Sequence, residues 1–202
     1  MTDVIDHDGL YLVTESQAGH FTASQAIAVG MDRSTLRYHA RPGGRYERVA
    51  RGLYRLRYFP TSPHEHVVAA WLGLGESEGV VSHESALELY ELSDVIPRVV
   101  HISLPRSRRG RRSRPGVQLH MLARPAVGAE IRRRGGVPVT SPERTLVDAL
   151  GAGTQPDQVE IAVAQALERG LTTQRRILAA AAGRSSRVRA LIERFLEESV
   201  TT

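Results

Sequence analysis

Residues 22–57, TASQAIAVGMDRSTLRYHARPGGRYERVARGLYRLR, decide how the rest of the chain is read. Thr22-Ala-Ser-Gln25 has the spacing of a capping box, in which the Thr hydroxyl accepts from the Gln25 amide and the Gln side chain reaches back to the cap amide. A helix is expected from there, with Ala26, Ile27 and Val29 inward, stopping at Gly30, a residue type that tolerates left-handed backbone. Asp32 then caps a second helix through Arg33-Ser-Thr-Leu-Arg-Tyr-His-Ala40, closed by Pro42-Gly43-Gly44. At helical spacing Leu36 and Ala40 share its core face, and Arg33, Arg37 and Arg41 form an i, i+4, i+8 row with Ser34 and Tyr38 beside it.

Two helices joined by a glycine turn, the second offering Arg33, Ser34, Thr35, Arg37 and Tyr38, is the arrangement that lays a recognition helix in a major groove. Arginine there pairs with guanine O6 and N7 or holds a phosphate. Arg45 to Arg57 gives two strand-like runs around Arg51-Gly52, a hairpin wing with arginine on its solvent side. Between His20 and Pro60 stand eight Arg against two acids, Asp32 and Glu47, the charge balance that phosphate contact requires. The competing reading is a helical cap on an enzyme with an arginine-rich surface.

Working outward, the 202 residues, 41% hydrophobic and 24% charged, suit one small domain and one medium one. No apolar run is long enough to cross a membrane, and the acidic start is unlike a signal peptide, so the cytoplasm is the expected location. With no cysteine, disulfides, thiolate catalysis and Cys-based zinc fingers are excluded. All 27 basic residues are arginine, which removes every mechanism that needs a lysine.

Residues 8–18 are expected to form a first helix, with Leu10, Val13 and Ala18 inward, and Phe59-Pro-Thr-Ser-Pro63 to end the first domain near residue 60. The second domain, 61–202, opens on a capping box at Ser62-Pro-His-Glu65 and continues with a helix capped by Ser82. Val99 to Leu104, Val117 to Met121, Ile131 to Arg134 and Val137 to Thr140 read as strands, the last two joined by Gly135-Gly136, and a small antiparallel sheet is expected. Thr140-Ser-Pro-Glu143 opens another helix, and three more follow over 159–169, 173–182 and 186–198. The fold class is therefore α+β: a winged helix-turn-helix, then a mixed domain with C-terminal helices.

Little of this looks catalytic. Ser82-His83-Glu84 are consecutive on a helix and point about 100° apart, so they form no relay. His64 and His66 diverge at i, i+2 with no third ligand nearby, so no metal and no cofactor are expected. Glu84, Glu88 and Glu91 read as a solvated acidic face. The second signal is Arg106-Ser-Arg-Arg-Gly-Arg-Arg-Ser-Arg-Pro115, where Arg106, Arg108, Arg109, Arg111, Arg112 and Arg114 repel one another unless a polyanion neutralises them. Ser and Gly between them, in place of aromatics, favour duplex phosphate over stacked single-stranded bases.

The order of four motifs resembles the AbiEi-type antitoxins of bacterial abortive-infection, or type IV, toxin-antitoxin systems and their stand-alone regulator relatives. The motifs are Phe21-Thr-Ala-Ser-Gln-Ala with Gly30 and Arg33-Ser-Thr-Leu-Arg37; Glu47 to Leu56; Val81 to Leu87; and Val139 to Asp148. The resemblance implies a winged helix that binds inverted repeats in its own promoter and represses the operon, and a C-terminal domain that counters a nucleotidyltransferase toxin. It places the DNA contacts on Arg33, Ser34, Arg37, Tyr38 and Arg41, with Arg45, Arg48 and Arg51 in or near the wing. Two copies are expected on the repeat, because a lone wing-and-helix module buries little surface. A non-enzymatic repressor and antitoxin is the expectation. The rivals are a stand-alone regulator without a toxin, and a DNA-targeted nuclease using Glu84 or Asp148.

Overall fold

A computed structural model describes residues 5–75, 79–110 and 112–199. Its contacts define two compact units: unit 1 runs to Gly79 and takes in Gly135–Val137, and unit 2 comprises Val80–Arg134 and the chain from Pro138.

Unit 1 opens with α1 (His7–Glu15), where the Asp6 side chain accepts from Gly9 N at 2.7 Å. After β1 (His20–Thr22), α2 (Ala23–Ala28) starts on the capping box read from the sequence: Gln25 N donates to Thr22 Oγ1 at 3.2 Å, and Thr22 N to Gln25 Oε1 at 2.8 Å. Gly30, at φ +85°, reverses the chain into α3 (Arg33–His39). β2 (Tyr46–Ala50) and β3 (Leu53–Leu56) form the wing, with Gly52 at φ +76° in its turn and a bulge between Arg48 and Ala50. The antiparallel sheet has the order β1-β3-β2, with Phe21 opposite Tyr54. The three-residue β1 has no periodicity to be read and exists because β3 offers a second edge. Leu10, Phe21, Ala26, Met31, Leu36, Tyr46 and Tyr54 make the core, with the Phe21 ring edge-on to Tyr46 at 5.0 Å. Ile27, expected inward, is 45% exposed, because the six-residue α2 buries only the narrow stripe around Ala26.

α4 (Glu65–Leu74) follows the proline pair, but it packs on β1 and β3 and so belongs to unit 1, which carries that unit past residue 60 to Gly79. Its wide apolar face (Val67, Val68, Trp71, Leu72 and Leu74) is what needs a sheet to cover. The box at Ser62 is half made: Ser62 N lies 3.4 Å from Glu65 Oε2, an oxygen that Arg55 also holds at 3.2 Å.

Unit 2 contains β4 (Val80–Val81), α5 (His83–Tyr90), β5 (Val100–Pro105), β6 (Val117–Leu122), β7 (Ile131–Arg134), β8 (Val137–Thr140) and α6 (Pro142–Ala152). α7 (Pro156–Glu168), α8 (Gln174–Ala181) and α9 (Ser186–Glu198) close it, near the bounds read from their periodicity. The α+β class stands, but this sheet, ordered β6-β5-β4-β8-β7, is mixed: β4 is antiparallel to β5, whereas β4–β8 and β5–β6 are parallel. The arginine-rich stretch is therefore a crossover between parallel strands and not a hairpin loop, and it begins with a 3₁₀ turn at Arg106–Arg108.

α6 is the centre of the unit, buried at every position from Pro142 to Leu150, with α5, α7, α8 and α9 around it. Its N-cap is Ser141, because the Thr140 hydroxyl is shared with Thr145 Oγ1 at 2.7 Å. Two buried charges are matched within the unit. Asp148 takes Arg144 Nε at 2.7 Å on one oxygen and Arg184 on the other, and Glu143 accepts from Arg176 at 2.8 Å and Thr172 at 3.1 Å. Among the described residues no helix is long and apolar enough to cross a membrane.

Candidate nucleic-acid interface

α3 begins at a tightly built cap. Asp32 Oδ1 accepts from the amides of Ser34 at 2.7 Å and Thr35 at 2.8 Å and from the Ser34 hydroxyl, while Oδ2 accepts from Thr35 Oγ1 at 3.0 Å. The Ser34 hydroxyl bond and the Thr35 bonds hold the Asp32 carboxyl down to about 2. Ser34 and Thr35, expected as contact residues, thus spend their hydroxyl protons inside the protein.

The side chains beyond the cap face solvent. Arg33, Arg37, Tyr38 and Arg41 are exposed on α3 and just after it, and Arg45, Arg48 and Arg51 are exposed along β2 and its turn. The Arg41 guanidinium lies over the Tyr38 ring, 3.8 Å from its centroid, so the two form one cationic surface. Among the described residues, Arg33, Arg37, Arg45, Arg48 and Arg51 have no ion-pair partner. Burial, then the fields of Arg45, His7 and Arg41, lower the pKa of His39.

The remaining arginines of the segment, read as solvent-side, serve the fold. α4 packs on β1 and β3, so the outer face of β3 is covered too. There Arg55, 9% exposed, pairs with Glu65 at 3.2 Å and donates to the carbonyls of Phe59 at 2.9 Å and Pro60 at 3.2 Å. Arg57 Nε donates to Gly44 O at 2.6 Å, and its Nη1 lies 3.4 Å from Glu47. In unit 2, Arg106, Arg108, Arg109, Arg112 and Arg114 are exposed along the crossover, and Arg111 lies outside the described residues.

The carboxylates of the nuclease reading already have partners. Both Asp148 oxygens hold guanidiniums, and Glu84 Oε1 accepts from Thr154 at 3.0 Å. Sequence reading missed a second constellation, His83, His101 and His120, which the topology of unit 2 brings together. His83 is buried at φ +55°, strained backbone for a residue with a side chain. Its ring stacks on His120 at 3.6 Å, and its Nδ1 lies 2.8 Å from Ser82 Oγ, itself 2.7 Å from Ser103 Oγ. Burial, reinforced by the neighbouring histidines and arginines, lowers His83 to about 2, and burial lowers His120 to about 4 and depresses His101, so all three imidazoles are neutral near pH 7. The one available signal was a single histidine in each of two strand-like runs.

No protein-family model matches the chain, and no curated protein matches it. Among solved structures, the RV2827C protein from Mycobacterium tuberculosis has a similar fold, with a TM-score of 0.58 and 15% identity over 94% of this chain and 75% of that one. At that identity the likeness concerns fold alone.

Proposed function

We propose that unit 1 binds duplex DNA, with α3 in the major groove and the β2–β3 wing on the adjacent backbone, and that the chain represses the promoter it binds. The observation that carries this is a division among arginines: Arg33, Arg37, Arg45, Arg48 and Arg51 are exposed and, among the described residues, without ion pairs on a helix-turn-helix and wing, while Arg55 and Arg57 are tied into the same fold. Unpaired guanidiniums held in a row by a capped helix suit phosphate and guanine edges. By its resemblance to AbiEi-type antitoxins, the repressor is also the antitoxin of a nucleotidyltransferase toxin; two copies occupy an inverted repeat, because one such module buries little surface.

The test is binding of the purified chain to its own upstream DNA against scrambled DNA of equal length, across salt. Preference for the upstream repeat that persists as affinity falls with salt supports the repressor. Equal, weak and salt-sensitive binding to both overturns it. The antitoxin step is tested separately, by co-expression with the nucleotidyltransferase encoded beside it. Failure to rescue growth, or absence of such a gene, leaves a stand-alone regulator.

A further inference from the structure

Three of the eight histidines in the sequence meet in unit 2. His101 and Ser103, two apart on β5, share one face of the sheet, and the parallel register sets His120 beside Ser103 on that face. His83 reaches the same place from the start of α5, which is fastened to β5 by Ser85 Oγ accepting from His101 N at 3.0 Å. One ring nitrogen of each histidine lies within 4.8 Å of the others.

Two of the three rings have a polar group beside their second nitrogen. A metal-bound imidazole gives its second N–H to a carboxylate, carbonyl or water that fixes its orientation. His101 Nε2 stands 4.0 Å from Glu84 Oε2, and Thr154 anchors the other oxygen of Glu84 at 3.0 Å. His83 Nδ1 meets Ser82 Oγ at 2.8 Å. His101 Nδ1 and His120 Nε2 share a hydrogen bond at 3.0 Å, and its proton moves to the far nitrogen of its ring before both can ligate one ion. Nitrogens around a tetrahedral Zn²⁺ at Zn–N ~2.0 Å stand roughly 3.3 Å apart, so the near-parallel stack of His83 on His120 has to open for both rings to reach one ion. The nearest cations are already matched: Arg144 and Arg184 both bind Asp148.

We propose that unit 2 binds one divalent transition-metal ion, Zn²⁺ foremost, through His83, His101 and His120, with Glu84 orienting His101 and a fourth position left to water. Three neutral imidazoles with no thiolate suit borderline ions such as Zn²⁺ and leave Ca²⁺ and Mg²⁺ poorly served. The ion would join α5, β5 and β6 at one point. This stands independently of the DNA-binding reading, and its test does not use DNA.

The full chain, stripped with a chelator and dialysed, is titrated with Co²⁺ and followed by visible d–d absorption. The expected result is saturation at one Co²⁺ per chain, displaced by Zn²⁺. His101→Gln and His120→Gln each weaken binding by more than about a hundredfold, and Glu84→Gln by about tenfold. The double change His64→Gln, His66→Gln leaves it unaltered. A wild-type chain that shows no tetrahedral Co²⁺ spectrum overturns the proposal, whatever the variants do. So does binding that survives His101→Gln and His120→Gln, or that is lost in the His64 and His66 variant.

Discussion

Arg37 and Arg55 are the same residue type put to opposite uses. On α3, Arg37 is exposed and has no ion pair among the described residues, so Arg37→Ala should leave folding intact and weaken the specific DNA complex by about 1–3 kcal/mol with loss of discrimination. Arg55→Ala should do the reverse. It strands Glu65 and the Phe59 and Pro60 carbonyls and lowers the stability of unit 1 by about 1–3 kcal/mol. Trp71, the one tryptophan of the chain, donates to Gly79 O at 2.7 Å inside unit 1, so its fluorescence reports unfolding there while filter binding reports the complex. His20 adds a pH dependence. Burial holds its pKa below 6.5 in the folded state, so its contribution is complete above pH 6.5 and is lost as pH falls towards the folded value. Trp71 melts should fall in midpoint below that pH, and less steeply in His20→Gln.

At the scale of elements, what the sequence made legible was local. The Thr22 box, the Asp32 cap and the three C-terminal helices each depend on residues within a turn or two of one another, and each lies where the spacing put it. What it concealed depends on pairing across the chain. β1 forms because β3 is there, β5 and β6 are parallel because the arginine crossover returns the chain, and Arg55 is buried because α4 packs on β1 and β3. The exposed arginines of the candidate interface could be named from helical spacing, whereas the histidines at 83, 101 and 120 could not be grouped without the register of two strands. α6 shows how strongly such long-range matching binds an element. Asp148→Ala leaves the half-buried Arg184 without its carboxylate and the buried Arg144 with Glu130 alone, and should cost unit 2 about 3 kcal/mol in urea unfolding followed by far-UV circular dichroism.

For the whole molecule the question is how many charges meet a polyanion together. If Arg33, Arg37, Arg41, Arg45, Arg48 and Arg51 each neutralise one phosphate, the logarithm of the binding constant should fall with the logarithm of salt at a slope of roughly −5 per copy. Changing Arg106, Arg108, Arg109, Arg112 and Arg114 to Gln separates the two basic regions. If the crossover also touches DNA, the slope flattens and every sequence is weakened alike. If it does not, slope and affinity stay as in the parent.

The cap of α3 fixes a polarity as well as a helix start. Ser34 and Thr35 each direct their one hydroxyl proton to Asp32, so towards a ligand both oxygens can only accept. The neighbouring guanidiniums can only donate. In a major groove such a tip fits an exocyclic amino group, cytosine N4 or adenine N6, next to the acceptor pair of a guanine. A thymine carbonyl facing Ser34 or Thr35 would set two lone pairs against each other, so the operator bases below the start of α3 should be those that offer a hydrogen.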